Sequence, residues 1–246
     1  MFRQLRRTTM VACLCSLAGM LALSATSQAA TIIGSPVLLS ALTVPGGNIV
    51  VGDKTFTNFN YTFTGDMPAA SLVNVIPITD DFGNFGVRFQ GAFIDTTGVA
   101  GGSDALITYT VTAGAGRLIS DAHLQGNPSR LGPFGSMSVT ETFLPLGANG
   151  EFTMKIYDDQ NVNPPQLVDS VVFTTPVQSL NVQKDILGLA KISPSDPNGP
   201  STVTMSFVDQ TFSQVPEASA VILSLIGCMG FGLKRRRHEG GFGSPA

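Results

Sequence analysis

Apolar and polar residues alternate one by one through long stretches between residues 55 and 212, and this period of two is what most limits how the chain can fold. In an extended strand successive side chains point to opposite faces, so the alternation gives strands with one dry face and one wet face. Phe59, Tyr61 and Phe63 alternate with Asn58, Asn60 and Thr62. Val87, Phe89 and Phe93 share one face, opposite Arg88, Gln90 and Ala92. Ile107, Tyr109 and Val111 alternate with Thr108, Thr110 and Thr112, and Phe152, Met154 and Ile156 with Thr153, Lys155 and Tyr157. Val203, Met205 and Phe207 alternate with Thr202, Thr204 and Ser206. Turn-forming residues separate the runs, among them Pro45-Gly46-Gly47-Asn48, Gly65-Asp66, Gly101-Gly102-Ser103-Asp104 and Asn149-Gly150. About ten strands are predicted, at 48–51, 55–63, 72–78, 87–95, 105–112, 118–124, 136–144, 151–157, 168–175 and 201–212. Segment 179–191 reads equally as a strand or a short helix. The fold class is all-β, an antiparallel two-sheet β-sandwich over residues 30–214.

Two acids break the pattern. Glu141 falls on the face of Met137, Val139 and Phe143, and Asp209 continues the face of Val203, Met205 and Phe207. One explanation is a bulge that flips the register, or a face that opens to solvent near the strand end. The other is a carboxylate pair placed for acid–base chemistry or a cation.

The charge is confined to particular regions. Residues 30–214 hold 15 acidic and 7 basic side chains, whereas both ends are basic. Arg3, Arg6 and Arg7 precede the uncharged run Met10–Leu23, and Ser27-Gln28-Ala29 supplies small side chains. That is the order of a secretory signal peptide over 1–29, cut after Ala29 by signal peptidase once the Sec translocon has accepted it. Cys13 and Cys15 leave with it, and Cys228 is the remaining cysteine, so 30–214 has no disulfide or thiolate metal site. At the other end Val215-Pro216-Glu217 precedes an uncharged run, 218–233, and then Lys234-Arg235-Arg236-Arg237. As a helix, that run spans about 24 Å, short for a membrane of about 30 Å but extendable by snorkelling bases. Residues 238–246 form a short cytoplasmic tail in this reading.

The order tripeptide, apolar helix, Arg run over 215–237 resembles the PEP-CTERM sorting signal of Gram-negative bacteria, a tail also described as the C-terminal domain of ice-binding proteins. Ala218 stands where that motif has a second Pro, and nine residues follow the Arg run. The resemblance implies recognition by an exosortase, an inner-membrane precursor, and a final place in the cell envelope or extracellular matrix. Exopolysaccharide, as in a biofilm matrix, is a partner implied by the tail class alone. Ala29, Val215, Pro216, Glu217, Lys234, Arg235, Arg236 and Arg237 are the processing and sorting residues on this reading.

The sequence offers little chemistry. Between the two ends there is one histidine, His123, with Asp121 on the same strand face, and no Gly-x-Ser-x-Gly nucleophile elbow. One imidazole without thiolates cannot build the usual zinc site. Calcium needs only oxygen ligands, and Asp80, Asp81, Asp158 and Asp159 are its candidates; the same residues are ordinary turn formers. The absence of Trp weakens sugar stacking. The acidic sandwich would repel nucleic acid. The expectation is a non-enzymatic structural or adhesive surface module without a cofactor. The alternatives are an extracellular polysaccharide hydrolase using Glu141 and Asp209, or a calcium-dependent binding module.

Overall fold

The computed structural model describes residues 30–97, 102–132, 134–144, 153–192 and 201–217. The expected signal segment with Ala29, the apolar run 218–233, the cluster Lys234 to Arg237 and the tail 238–246 lie outside the described residues.

The strands are β1 Thr31–Ile32, β2 Val37–Leu38, β3 Asn48–Val51, β4 Lys54–Phe63, β5 Asn74–Thr79, β6 Phe85–Thr96, β7 Ser103–Ala113, β8 Arg117–Gly126, β9 Ser129–Leu131, β10 Gly135–Leu144, β11 Thr153–Asp159, β12 Val162–Gln166, β13 Val168–Val177, β14 Ser179–Ala190 and β15 Thr202–Pro216. A single helical turn, α1 Leu39–Leu42, follows β2. Sheet A has the order β1-β5-β6-β15-β8-β13, with β2 also on β5 and β9 also on β15. Sheet B has the order β12-β11-β10-β14-β7-β4-β3. Every pairing is antiparallel.

The expected all-β architecture with two antiparallel sheets is present, with more strands than predicted. Each of the ten predicted runs overlaps a strand. The additional short strands β1, β2, β9 and β12 lie on edges or rims, where a few residues pair without an alternating pattern of their own. Segment 179–191 is the strand β14, at the centre of sheet B between β10 and β7. The last strand outruns the predicted boundary at 214. Val215 and Pro216 pair with Leu118 and Arg117, and the Glu217 N–H donates to the Gly116 carbonyl at 2.9 Å. By then β15 has β8 on one side only, so a proline without an N–H is tolerated.

The sandwich closes on aromatic rings. Phe212 of sheet A lies 6.2 Å from Phe56 and 6.4 Å from Phe143 of sheet B, the latter edge-on. Phe59 stacks on Tyr109 at 5.5 Å, and Phe89 of sheet A approaches Tyr109 at 5.7 Å. Such offset and edge contacts add to the area that these rings bury.

Polar side chains also cross between the sheets. Lys184 of β14 donates to Glu141, its cross-strand partner on β10, and at 3.1 Å to Gln210 Oε1 of sheet A. Asp95 of β6 accepts from Ser103 Oγ and from the Ala190 N–H, each at 2.6 Å, which ties sheet A to β7 and β14. Lys54 of β4 donates to Gln214 of β15. Burial pushes the Glu141 carboxyl up and the Lys184 and Lys54 ammonium groups down, each partly offset by a partner of opposite charge.

Candidate functional site

On sheet B the strand registers line up uncharged polar side chains in rows. Thr57, Thr110 and Asn181 form one row across β4, β7 and β14, which ends at the apolar Leu144 on β10. Asn60, Thr108, Gln183, Thr142 and Thr153 form the next, reaching β11. These are the polar positions of the alternating pattern. Threonine suits them because its branched Cβ fits the pleat while its hydroxyl meets water.

A bulge raises one side chain out of these rows. Between Thr57 and Asn60 the register of β4 on β7 shifts, so that Asn58 and Phe59 together face Tyr109. Phe59 turns inward onto Tyr109, while Asn58 stays exposed at φ 55, a conformation that asparagine tolerates better than most residues. Its Nδ2 donates to Thr110 Oγ1 at 3.2 Å, and that hydroxyl donates to Asn181 Oδ1 at 2.8 Å. Asn58, Thr108, Thr110, Asn181, Gln183 and Leu144 line a depression of about 300 Å³. A second depression, about 350 Å³, lies on the other side of Asn58 against the loop Thr43–Asn48. Amide and hydroxyl groups there offer both donors and acceptors, and among the described residues no ionised side chain lines either depression.

Further along the same face two carboxyls meet. Asp185 is hydrogen-bonded to Asp104, and burial first, then this bond and its charge, push the Asp185 carboxyl up to about 6. The folded chain therefore holds a proton that the unfolded chain releases nearer pH 3.8. Stability should fall as pH rises from about 4 to about 6 and be level above. Asp185→Asn should raise Tm at neutral pH and flatten Tm across that window. An unchanged slope would show that Asp185 does not take up the proton in that window.

The expected site residues are placed as follows. Asp80 serves its own turn: Oδ1 accepts the N–H groups of Phe82 (3.0 Å) and Asn84 (2.9 Å), and Oδ2 accepts Asn84 Nδ2 and Thr211 Oγ1, each at 2.9 Å. Asp81 is exposed beside it. Asp158 accepts the backbone N–H and Nε of Arg130, and Asp159 the N–H and Nδ2 of Asn161. Among the described residues, no three His, Cys, Asp or Glu side chains group as a metal site. His123 Nε2 lies 2.9 Å from Asp121 and 3.4 Å from Ser213 Oγ. Both partners meet one ring nitrogen, whereas a Ser-His-Asp arrangement needs one on each.

Glu141 and Asp209 do not come together. Glu141 is 0% exposed between the sheets. Asp209 follows a bulge between Met205 and Phe207, which turns Val208, Gln210 and Phe212 inward and Asp209 outward onto Arg88. Of the two explanations weighed from the sequence, the bulge accounts for Asp209. Glu141 stays on the core face because Lys184 neutralises it there, a partner that the ambiguous segment 179–191 concealed.

No protein-family model matches the chain, and no curated protein matches it. Among solved structures, the carbohydrate-binding module TmCBM61 in complex with β-1,4-galactotriose aligns at a TM-score of 0.28 and 10% identity, over 64% of this chain and 88% of that one.

Proposed function

We propose that this chain is an exported, non-catalytic module of the cell envelope or extracellular matrix that binds neutral polysaccharide on the outer face of sheet B. The observation that carries the reading is the amide and hydroxyl groups of Asn58, Thr108, Thr110, Asn181 and Gln183 around the depression, next to further threonines and asparagine in the adjoining rows. Sugar hydroxyls donate and accept at once, and so do these groups, and a neutral glycan brings no charge to balance. The net charge of −8 on residues 30–214 disfavours anionic glycans on the same ground. Export and delivery follow from the two basic, apolar ends: signal peptidase and the translocon act at 1–29, and an exosortase acts on the tail from Val215. The two carboxylates that the sequence nominates for hydrolysis, Glu141 and Asp209, are held by Lys184 and Arg88, which favours binding over cleavage by that pair.

Affinity electrophoresis of the full-length protein in mild detergent tests the binding. Gels carry β-glucan, galactan or mannan, with alginate as the anionic comparison. Retardation is expected in at least one neutral gel and not in alginate. Asn181→Ala with Gln183→Ala should weaken it about tenfold or more, for the loss of two sites of hydrogen bonding, without a change in Tm. Free migration in every neutral gel, or undiminished retardation of the double variant, would overturn the reading.

A further inference from the structure

Three side chains that ordinarily seek water meet between the sheets. Lys184 of β14, Glu141 of β10 and Gln210 of β15 are each 0% exposed. Apolar residues surround them: Ile107 pairs with Lys184 on sheet B, and Val87 and Leu124 flank Gln210 on sheet A. The Lys184 Nζ donates to both partners, to Glu141 Oε2 and, at 3.1 Å, to Gln210 Oε1. The other carboxyl oxygen of Glu141 and the Nε2 of Gln210 have no hydrogen-bond partner among the described residues. Unpaired polar atoms in a core cost free energy, so packing alone gives no reason for this trio. Chemically it is an amine, a carboxamide and an acid, the parts needed for amide exchange, held in contact where water is excluded.

We propose that Lys184 and Gln210 join in an isopeptide bond, made by the folded chain itself with Glu141 as the acid–base group. The ion pair is the state of the newly folded chain, from which the reaction starts, and its energetics belong to that state. Burial pushes the Glu141 carboxyl up and the Lys184 ammonium down, which favours passage of one proton from Nζ to Glu141. The desolvated amine is then a nucleophile. Its lone pair attacks Gln210 Cδ, whose oxygen it already holds; the Nζ–Cδ bond forms and the carbonyl pair moves onto Oε1. Glu141 gives its proton to the departing Nε2 and takes one from Nζ. The adduct collapses, the Cδ–Nε2 bond breaks and ammonia leaves. Nothing is oxidised or reduced: an amine and a carboxamide enter, a secondary amide and ammonia result. The product holds neither buried charge, since Lys184 has become an amide and Glu141 stays protonated. The bond ties an interior strand of sheet B to an interior strand of sheet A, in a stretch, 30–214, that has no cysteine for a disulfide.

A tryptic digest of the full-length protein, kept folded at neutral pH beforehand, gives the test. Trypsin reads the positive charge of a free lysine and does not cut after an acylated one. Mass spectrometry is expected to find no cut after Lys184, and segment 156–191 joined to the peptide that starts at Ile192, with a mass one ammonia below the sum of the two. Fragmentation should place the join at Lys184 and Gln210. Gln210→Leu, which keeps the Lys184–Glu141 pair, and Glu141→Gln, which keeps the size of the side chain but cannot carry the proton, should both restore the cut. Wild-type peptides at full mass, cut after Lys184, would overturn the bond whether or not the variants fold. A join between Lys184 and Glu141 with loss of water would overturn the choice of Gln210. A Glu141→Gln chain still joined at Gln210 would overturn the role of Glu141.

Discussion

Lys184→Met is expected to lower the unfolding free energy by about 3–5 kcal/mol, the usual loss when one member of a buried ion pair is removed. Lys184 and Glu141 are both 0% exposed, and Lys184 also holds Gln210 of the opposite sheet. Without the ammonium, the Glu141 carboxylate stays in the core with no cation. Its carboxyl is already pushed up by burial, so the variant should lose least in acid, where Glu141 takes a proton, and most at neutral pH. Adding Glu141→Leu removes the stranded charge and should restore most of the stability, since apolar replacements of buried pairs are often neutral or better. Urea unfolding of the single and double variants checks both halves. A single variant within about 1 kcal/mol of wild type would mean that the pair is not shielded from water as described.

Phe212→Ala is expected to cost about 3–5 kcal/mol, the range for emptying a large aromatic site in a packed core. Phe212 is fully buried and touches rings from two interior strands of sheet B, Phe56 on β4 and Phe143 on β10. Those strands pair within sheet B and cannot collapse into the space without breaking register. Val172→Ala, at a position 74% exposed, should stay within about 0.5 kcal/mol and serves as the comparison. A Phe212→Ala loss as small as that would argue that the sheets do not close on this ring.

The strands were legible because the amphipathic period is a local property. Each of Val87, Phe89 and Phe93, or Ile107, Tyr109 and Val111, carries its own evidence of a buried face. β14 was not legible, because Lys184 occupies a core position and breaks the apolar series Leu180, Val182, Ile186. Its partner Glu141 looked anomalous for the same reason. Only the pairing of β10 with β14 makes the two residues explain one another. β1, β2, β9 and β12 are too short, or too rich in proline, to show a period at all.

The candidate site was less legible than the fold. Thr108 and Thr110 were visible as polar positions, but nothing local says that Asn181 and Gln183 stand beside them. That depends on the strand order β14-β7-β4, which brings together segments more than 50 residues apart. Asn58 sat in plain view within an alternating run, and a regular strand gave no hint of the bulge that lifts it. The close carboxyl pair was sought in Glu141 and Asp209, yet it is Asp104 and Asp185 that share a hydrogen bond. Asp104 lies next to a glycine-rich turn and Asp185 in the ambiguous segment, so neither stood out. Asp80, Asp158 and Asp159 owed their acid-rich look to turns and to Arg130, as turn chemistry allows.

The most direct test of polysaccharide binding on sheet B is to follow the side-chain amide NMR signals of the full-length protein while titrating in oligosaccharides of the glycan that retards it most. Shifts are predicted for Asn58, Asn181 and Gln183, with none at Asn127 on the opposite sheet. Shifts at Asn127 alone, or none at the three sheet B amides at saturating sugar, would contradict the assignment.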